Sequence, residues 1–141
     1  MKIYKFFIFT FLVSVAFASN QEKKTFDKFL WVTADSMKDK ESINEALYFA
    51  FDHDFNKVFV QCRFRGDAFY SSKLVPKNPS IQNRDFDPLE YAILIGHQLG
   101  LEVHAWMNTY ILWSRSGQKD SAPINLSHIY HTSKEWTESN I

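Results

Sequence analysis

The chain has 141 residues, and its 16 Lys+Arg balance 16 Asp+Glu. Apolar residues make up 45% and aromatics 17%, which excludes a disordered tail, poor in aromatics and strongly charged. The absence of a basic excess argues against a nucleic-acid partner held through phosphate contacts. A single cysteine, Cys62, leaves no intrachain disulfide and no Cys-based zinc site, and the length predicts one domain.

Lys2 and Lys5 precede an almost wholly apolar run from Phe6 to Phe17, and Ala16-Phe17-Ala18 supplies a small-x-small exit. Positive charge, apolar stretch and small residues in that order predict a secretory signal over 1–18, cleaved after Ala18. The apolar run is about a dozen residues, short of the roughly 20 that span a bilayer. Losing Lys2 and Lys5 leaves 14 basic groups against 16 acidic ones. The expected mature chain, 19–141, has no membrane span and is exported to the periplasm or the extracellular space.

Phe29 to Thr33 (FLWVT) reads as a short strand. From Lys40 to His53, Ile43, Leu47, Ala50 and Phe51 recur at helical spacing with Glu41, Asn44, Glu45 and Asp52 mainly elsewhere, which predicts an amphipathic helix. Lys57 to Arg63 (KVFVQCR) is β-branched and aromatic, the composition of a buried strand; Cys62 is expected there as a buried thiol. Phe64 to Phe86 reads as a long irregular segment. Asp87-Pro88-Leu89-Glu90 then opens a second helix, with Asp87 as cap, Pro88 at the first position and Glu90 placed to reach back. Gly100 is its stop signal. Leu101 to Asn108 (LEVHAWMN) is a third strand, and Thr109 to Ile141 is polar, with a weak helical signal over Ser133–Ser139. Strand, helix, strand, helix, strand predicts βαβ units and a parallel sheet.

Side chains alternate along a strand, so each strand divides into two sets. Leu30, Val32, Val58, Val60, Cys62, Val103, Ala105 and Met107 form an apolar set suited to packing beneath crossover helices. The opposite set, which holds Trp31, Phe59, Gln61, Arg63, Glu102, His104, Trp106 and Asn108, is aromatic, amide and charged. An ordinary parallel sheet is apolar on both faces. Its polar-aromatic character grows toward the strand C-termini, where α/β folds place their sites.

FVQCRFRGDAFY (Phe59–Tyr70), SSKLVP (Ser71–Pro76), FDPLEYAI (Phe86–Ile93) and GLEVHAWMNTY (Gly100–Tyr110) follow one another in an order that resembles the opening of the family-ten-like glycosyl hydrolases of bacteria, and FLWVT resembles that family's first strand. The resemblance implies an α/β fold that holds the first three βα units of a (β/α)8 TIM barrel. It also implies hydrolysis of glycosidic bonds in a cell-envelope glycan, with peptidoglycan strands as the substrate class. After removal of 1–18, 123 residues remain, about half of the roughly 250 that a barrel uses, so the expectation is the N-terminal portion of such a domain. Asp54 stands where the family usually has a helix-ending Gly, a replacement that αL-tolerant Asp permits.

Carried over by the resemblance, the substrate-binding positions are Arg63, Arg65, Asp67, His104, Trp106, Asn108 and Tyr110. Trp106 and Tyr110 can stack on a pyranose face; Asn108 and His104 can donate to and accept from hydroxyls, although His104 reads equally as a satisfied core imidazole. Arg65 and Asp67 are close enough to form a charge-assisted pair, ordering the following loop or touching substrate. Glycoside hydrolysis ordinarily needs two carboxylates. Only Asp35, Asp67 and Glu102 fall on strands or their exits, and Glu102 is at the wrong end of its strand, so no catalytic pair is assigned and the chain alone is expected to be inactive. A non-catalytic glycan-binding α/β domain is the alternative reading. A flavodoxin-like domain is disfavoured because Asp35-Ser36-Met37-Lys38-Asp39 lacks the glycine of a phosphate loop. His128 and His131 are spaced to share a metal on a helix, but with no third ligand apparent no metal is assigned; no cofactor is expected.

Overall fold

A computed structural model describes residues 26–113 and 122–136. The predicted signal segment, 1–18, lies outside the described residues.

The elements are β1 (Phe29–Val32), α1 (Lys40–Asp52), β2 (Lys57–Phe64), β3 (Asp67–Ala68), α2 (Pro88–Gln98), β4 (Glu102–Met107) and α3 (Ile129–Thr132), with short 3₁₀ turns at Ala34–Met37 and Lys134–Trp136. β2 is central. β1 pairs with it in parallel, Trp31 opposite Phe59, and β4 pairs in parallel on its other edge, His104 opposite Phe59. A flavodoxin-like order would instead put the first strand between the other two.

α1 starts because the Asp39 carboxylate accepts a hydrogen bond from Ser42 N at 2.8 Å. That bond holds the carboxyl below its ordinary range. The helix buries Ile43, Leu47 and Ala50, at about 1.5–3 kcal/mol for each large side chain. Phe51, expected on the same stripe, is 52% exposed, because the i, i+4, i+7 row already ends on Ala50. Asp54 terminates the helix at φ 57°, and Phe55 N reaches back to Ala50 O at 2.9 Å. Asp therefore fills the left-handed position that glycine usually takes.

α2 begins at Asp87, whose carboxylate accepts from Glu90 N at 3.0 Å and from Ser71 N at 2.7 Å. The second bond ties the preceding loop to the helix. Gly100, at φ 74°, ends it, and Leu101 N closes on Gly96 O. Gly96 is required for another reason: a Cβ there would collide with Val103 of β4. Both helices pack on one face of the sheet, around Val32, Ile43, Leu47, Ala50, Val58, Val60 and Ala92.

The segment expected to be irregular from Phe64 contains a hairpin. Arg65 and Gly66 have φ of 52° and 79°, the two positive values a tight type I′ turn needs, so β3 folds back antiparallel on the end of β2. The loop beyond is tied by its own cations. Lys77 Nζ donates to Arg84 O and Phe86 O at 2.7 and 2.8 Å, and the Arg84 guanidinium donates to Asn78 O, Ile81 O and Lys77 O. Among the described residues no helix is long and apolar enough to cross a membrane.

Candidate functional site

The face of the sheet opposite the helices carries an aromatic ladder. Trp31 stacks on Phe59 with ring centroids 4.9 Å apart and planes at 17°, and Phe59 stacks on His104 at 4.9 Å and 22°. Phe29 adds a further ring at 5.8 Å. Parallel register puts these side chains level on three neighbouring strands, which is why they meet face to face. Trp31 remains 58% exposed and Phe29 41%. Exposed rings in a contiguous row are uncommon on a sheet surface and mark a site or a contact.

One residue pair further along, Trp106 stands opposite Gln61. Gln61 is buried and its Oε1 accepts from Ala34 N at 2.9 Å, so part of the polar layer is consumed in fixing the turn that leaves β1. Trp106 is half-buried, and its carbonyl oxygen accepts from Cys62 Sγ at 3.5 Å. Burial pushes the Cys62 thiol above its ordinary range, which keeps it unreactive.

Between Gln61 and Arg63 the β2–β4 register slips by one, so that Arg63 pairs with Met107. Strict alternation had put these two on opposite faces; the bulge at Cys62 is the reason they share a level. Asn108 leaves the end of β4 with its N–H on Arg63 O at 3.2 Å, which brings Arg63 and Asn108 together at the strand C-termini. Tyr110, in the bend that follows, is 96% exposed. His104 Nε2 lies 2.8 Å from Glu102 Oε1 but out of line for a hydrogen bond, and this buried nitrogen has no other partner. Glu102 is also held by Lys57 at 3.2 Å. Lys57 also reaches Asp27 at 3.3 Å, and its bonds to Glu102 first and Asp27 second raise its ammonium above the ordinary range.

Arg65 and Asp67 do not form the expected pair. The Arg65 guanidinium lies over Phe64 at 4.8 Å and over Trp113 at 5.1 Å, geometry that favours a cation on aromatic faces. Asp67 is 4% exposed, accepts from Asn78 Nδ2 at 3.3 Å and sits 3.9 Å from His128 Nε2. Burial drives its carboxyl above the ordinary range, against the opposing positive charges of Arg65 and Arg84. His128 is fully buried: Nε2 donates to Arg65 O at 2.6 Å and Nδ1 accepts from Tyr130 N at 3.0 Å. His131 Nε2 instead donates to Pro123 O at 2.8 Å, so the two imidazoles do not converge on a metal. No sequence signal marked His128 as the plug beneath the hairpin; Trp31 and Phe59 were legible on the polar set.

The carboxylates stay apart. Asp35 is exposed beyond β1, Asp67 is buried beneath the hairpin, and Glu102 is at the N-terminal end of β4. Among the described residues they do not form a pair across a common cleft. What the face offers is stacking surface, an amide and an imidazole, with the Arg63 guanidinium at its edge, groups that can stack on rings and exchange hydrogen bonds with polar ligands.

Comparison with known proteins bears on that inventory. The chain is 35% identical over 60 residues to the glycosyl hydrolase DigH of Escherichia coli (strain K12), covering 39% of this chain and 14% of the relative. It is 30% identical over 118 residues to the glycosyl hydrolase YngK of Bacillus subtilis (strain 168), covering 72% of this chain and 23% of the relative. The similarity is to glycosyl hydrolases. The chain spans less than a quarter of the length of either relative. No family model matches it.

Proposed function

We propose that this chain forms the opening βα units of a (β/α)8 barrel in an exported glycosyl hydrolase of the family-ten-like group. Its aromatic strand face would be the glycan-binding lining of that barrel. The observation that carries the reading is the Trp31–Phe59–His104 ladder on the helix-free face, continued by Trp106 toward the strand C-termini. Three parallel strands added in one direction, with both helices on the same side, suit a barrel opening. The partial likeness to two glycosyl hydrolases supports the chemistry. The substrate class proposed is the glycan strand of peptidoglycan, and the secretory signal at 1–18 puts the protein where that polymer is.

Arg63, His104, Trp106, Asn108 and Tyr110 are the proposed contacts. Arg65 and Asp67 shape the loop that borders them. The separation of Asp35, Asp67 and Glu102 favours binding without cleavage by this chain alone, which keeps a purely glycan-binding role as the second reading. Titration calorimetry with soluble peptidoglycan glycan strands tests the proposal. Trp106→Ala is expected to weaken binding roughly tenfold with an unchanged circular dichroism spectrum. Equal affinity for the parent and the variant would remove Trp106 from the site.

A further inference from the structure

Arg63 does more at the end of β2 than border the aromatic face. It lines a cleft of about 230 Å³ between the β2–β3 hairpin and the 122–136 segment. Its Nε is buried without a hydrogen-bond partner. Among the described residues no carboxylate lines this cleft and no ion pair engages Arg63. A sequestered guanidinium nitrogen that donates to nothing costs on the order of 1–3 kcal/mol, and such a group calls for a partner that the protein itself does not supply.

The walls define what fits. Ser127 and Thr132 contribute hydroxyls, and Val75, Pro76 and Ile129 contribute aliphatic surface. A cleft of this size is below the roughly 300–1,000 Å³ of whole-ligand pockets, so it suits one substituent of a larger molecule. The planar fork of arginine matches a carboxylate in two parallel hydrogen bonds. The Cys62 bulge, by slipping the register before Arg63, is the device that separates Arg63 from the Phe59–Gln61 row.

We propose that this cleft is a carboxylate pocket in which Arg63 holds the acid group of an acidic sugar while its short aliphatic arm rests on Val75, Pro76 and Ile129. The carboxylate half stands on the cleft alone; the sugar half rests on the glycan reading above.

The test separates the two halves. Amide chemical shifts are followed while the protein is titrated with propionate and, in parallel, with the uncharged isostere propionamide. Propionate is expected to shift the Arg63, Ser127 and Thr132 signals and to bind roughly ten- to hundredfold more tightly than propionamide. Arg63→Gln is expected to abolish that preference, and Arg63→Lys to retain only part of it. Equal binding of acid and amide, or no binding of either, overturns the pocket; should Arg63→Gln fail to fold, this comparison on the unaltered protein decides alone. A disaccharide carrying a carboxyalkyl ether is then compared with its amidated form. Tighter binding than propionate, with loss on amidation, supports the acidic sugar. No gain over propionate overturns the sugar half and leaves the pocket standing.

Discussion

Asp67 and Gly66 show how single residues hold the border of the site. Gly66 has φ 79°, and a Cβ there would run into His128 Nε2. Gly66→Ala therefore meets both backbone strain and a fully buried ring, for about 2–4 kcal/mol. A fall in Tm of about 10 °C is expected in a thermal melt; an unchanged Tm would mean that His128 is not seated there. The Asp67 carboxyl is raised above its ordinary 3.8 chiefly by burial. A raised folded value means that the protonated form favours the fold. That contribution is fully present below the unfolded value and is lost as pH rises through the folded one. Asp67→Asn removes the titration. The Tm advantage of the variant over the parent is expected to grow as pH climbs out of the carboxylate range and then level off, whereas a pH-independent difference would show that Asp67 is solvated. Asp87 has the opposite sign: burial raises its carboxyl, but the bonds from Glu90 and Ser71 outweigh that and leave it lowered. Its contribution is lost as pH falls through the folded value.

At the scale of elements, caps and strand composition determine most of what forms. Asp87 both starts α2 and anchors Ser71. Asp87→Ala is expected to cost about 1–2 kcal/mol and to speed hydrogen exchange at Ser71 and Glu90 together; protection lost at Glu90 alone would show that the loop is held by something else. The two long helices and three parallel strands were legible because their signals are local: Asp caps, Pro88 at the first helical position, Gly100 at the end, β-branched runs between. The hairpin was not legible. Its first turn position is Arg65, and a non-glycine residue at positive φ gives no compositional sign. The bulge at Cys62 was hidden for a related reason, since an extra residue inside a continuous strand changes the register without changing the composition. Those two features decide the fate of three proposed site residues. The bulge moves Arg63 out of strict alternation, the hairpin buries Asp67, and Arg65 is drawn onto Phe64 and Trp113. His104 and Trp106 stayed where alternation put them because β4 is regular.

For the molecule as a whole, the decisive asymmetry is between the faces of one sheet. Helices α1 and α2 cover the side that carries Val32, Val58 and Val60, while the other side presents stacked rings that remain partly open. Burying an exposed tryptophan and phenylalanine contributes several kcal/mol, so a face of this kind gains from whatever covers it. In the proposed barrel the cover would be the remaining strands below and a bound sugar above, at the strand C-termini. Glycan binding by the open aromatic face, as proposed above, is tested by a nuclear magnetic resonance titration of the tryptophan indole N–H signals with peptidoglycan glycan strands. The account predicts that the Trp31 and Trp106 signals shift in a saturable, dose-dependent way. Shifts confined to other residues, with Trp31 and Trp106 unmoved at saturating glycan, would contradict it.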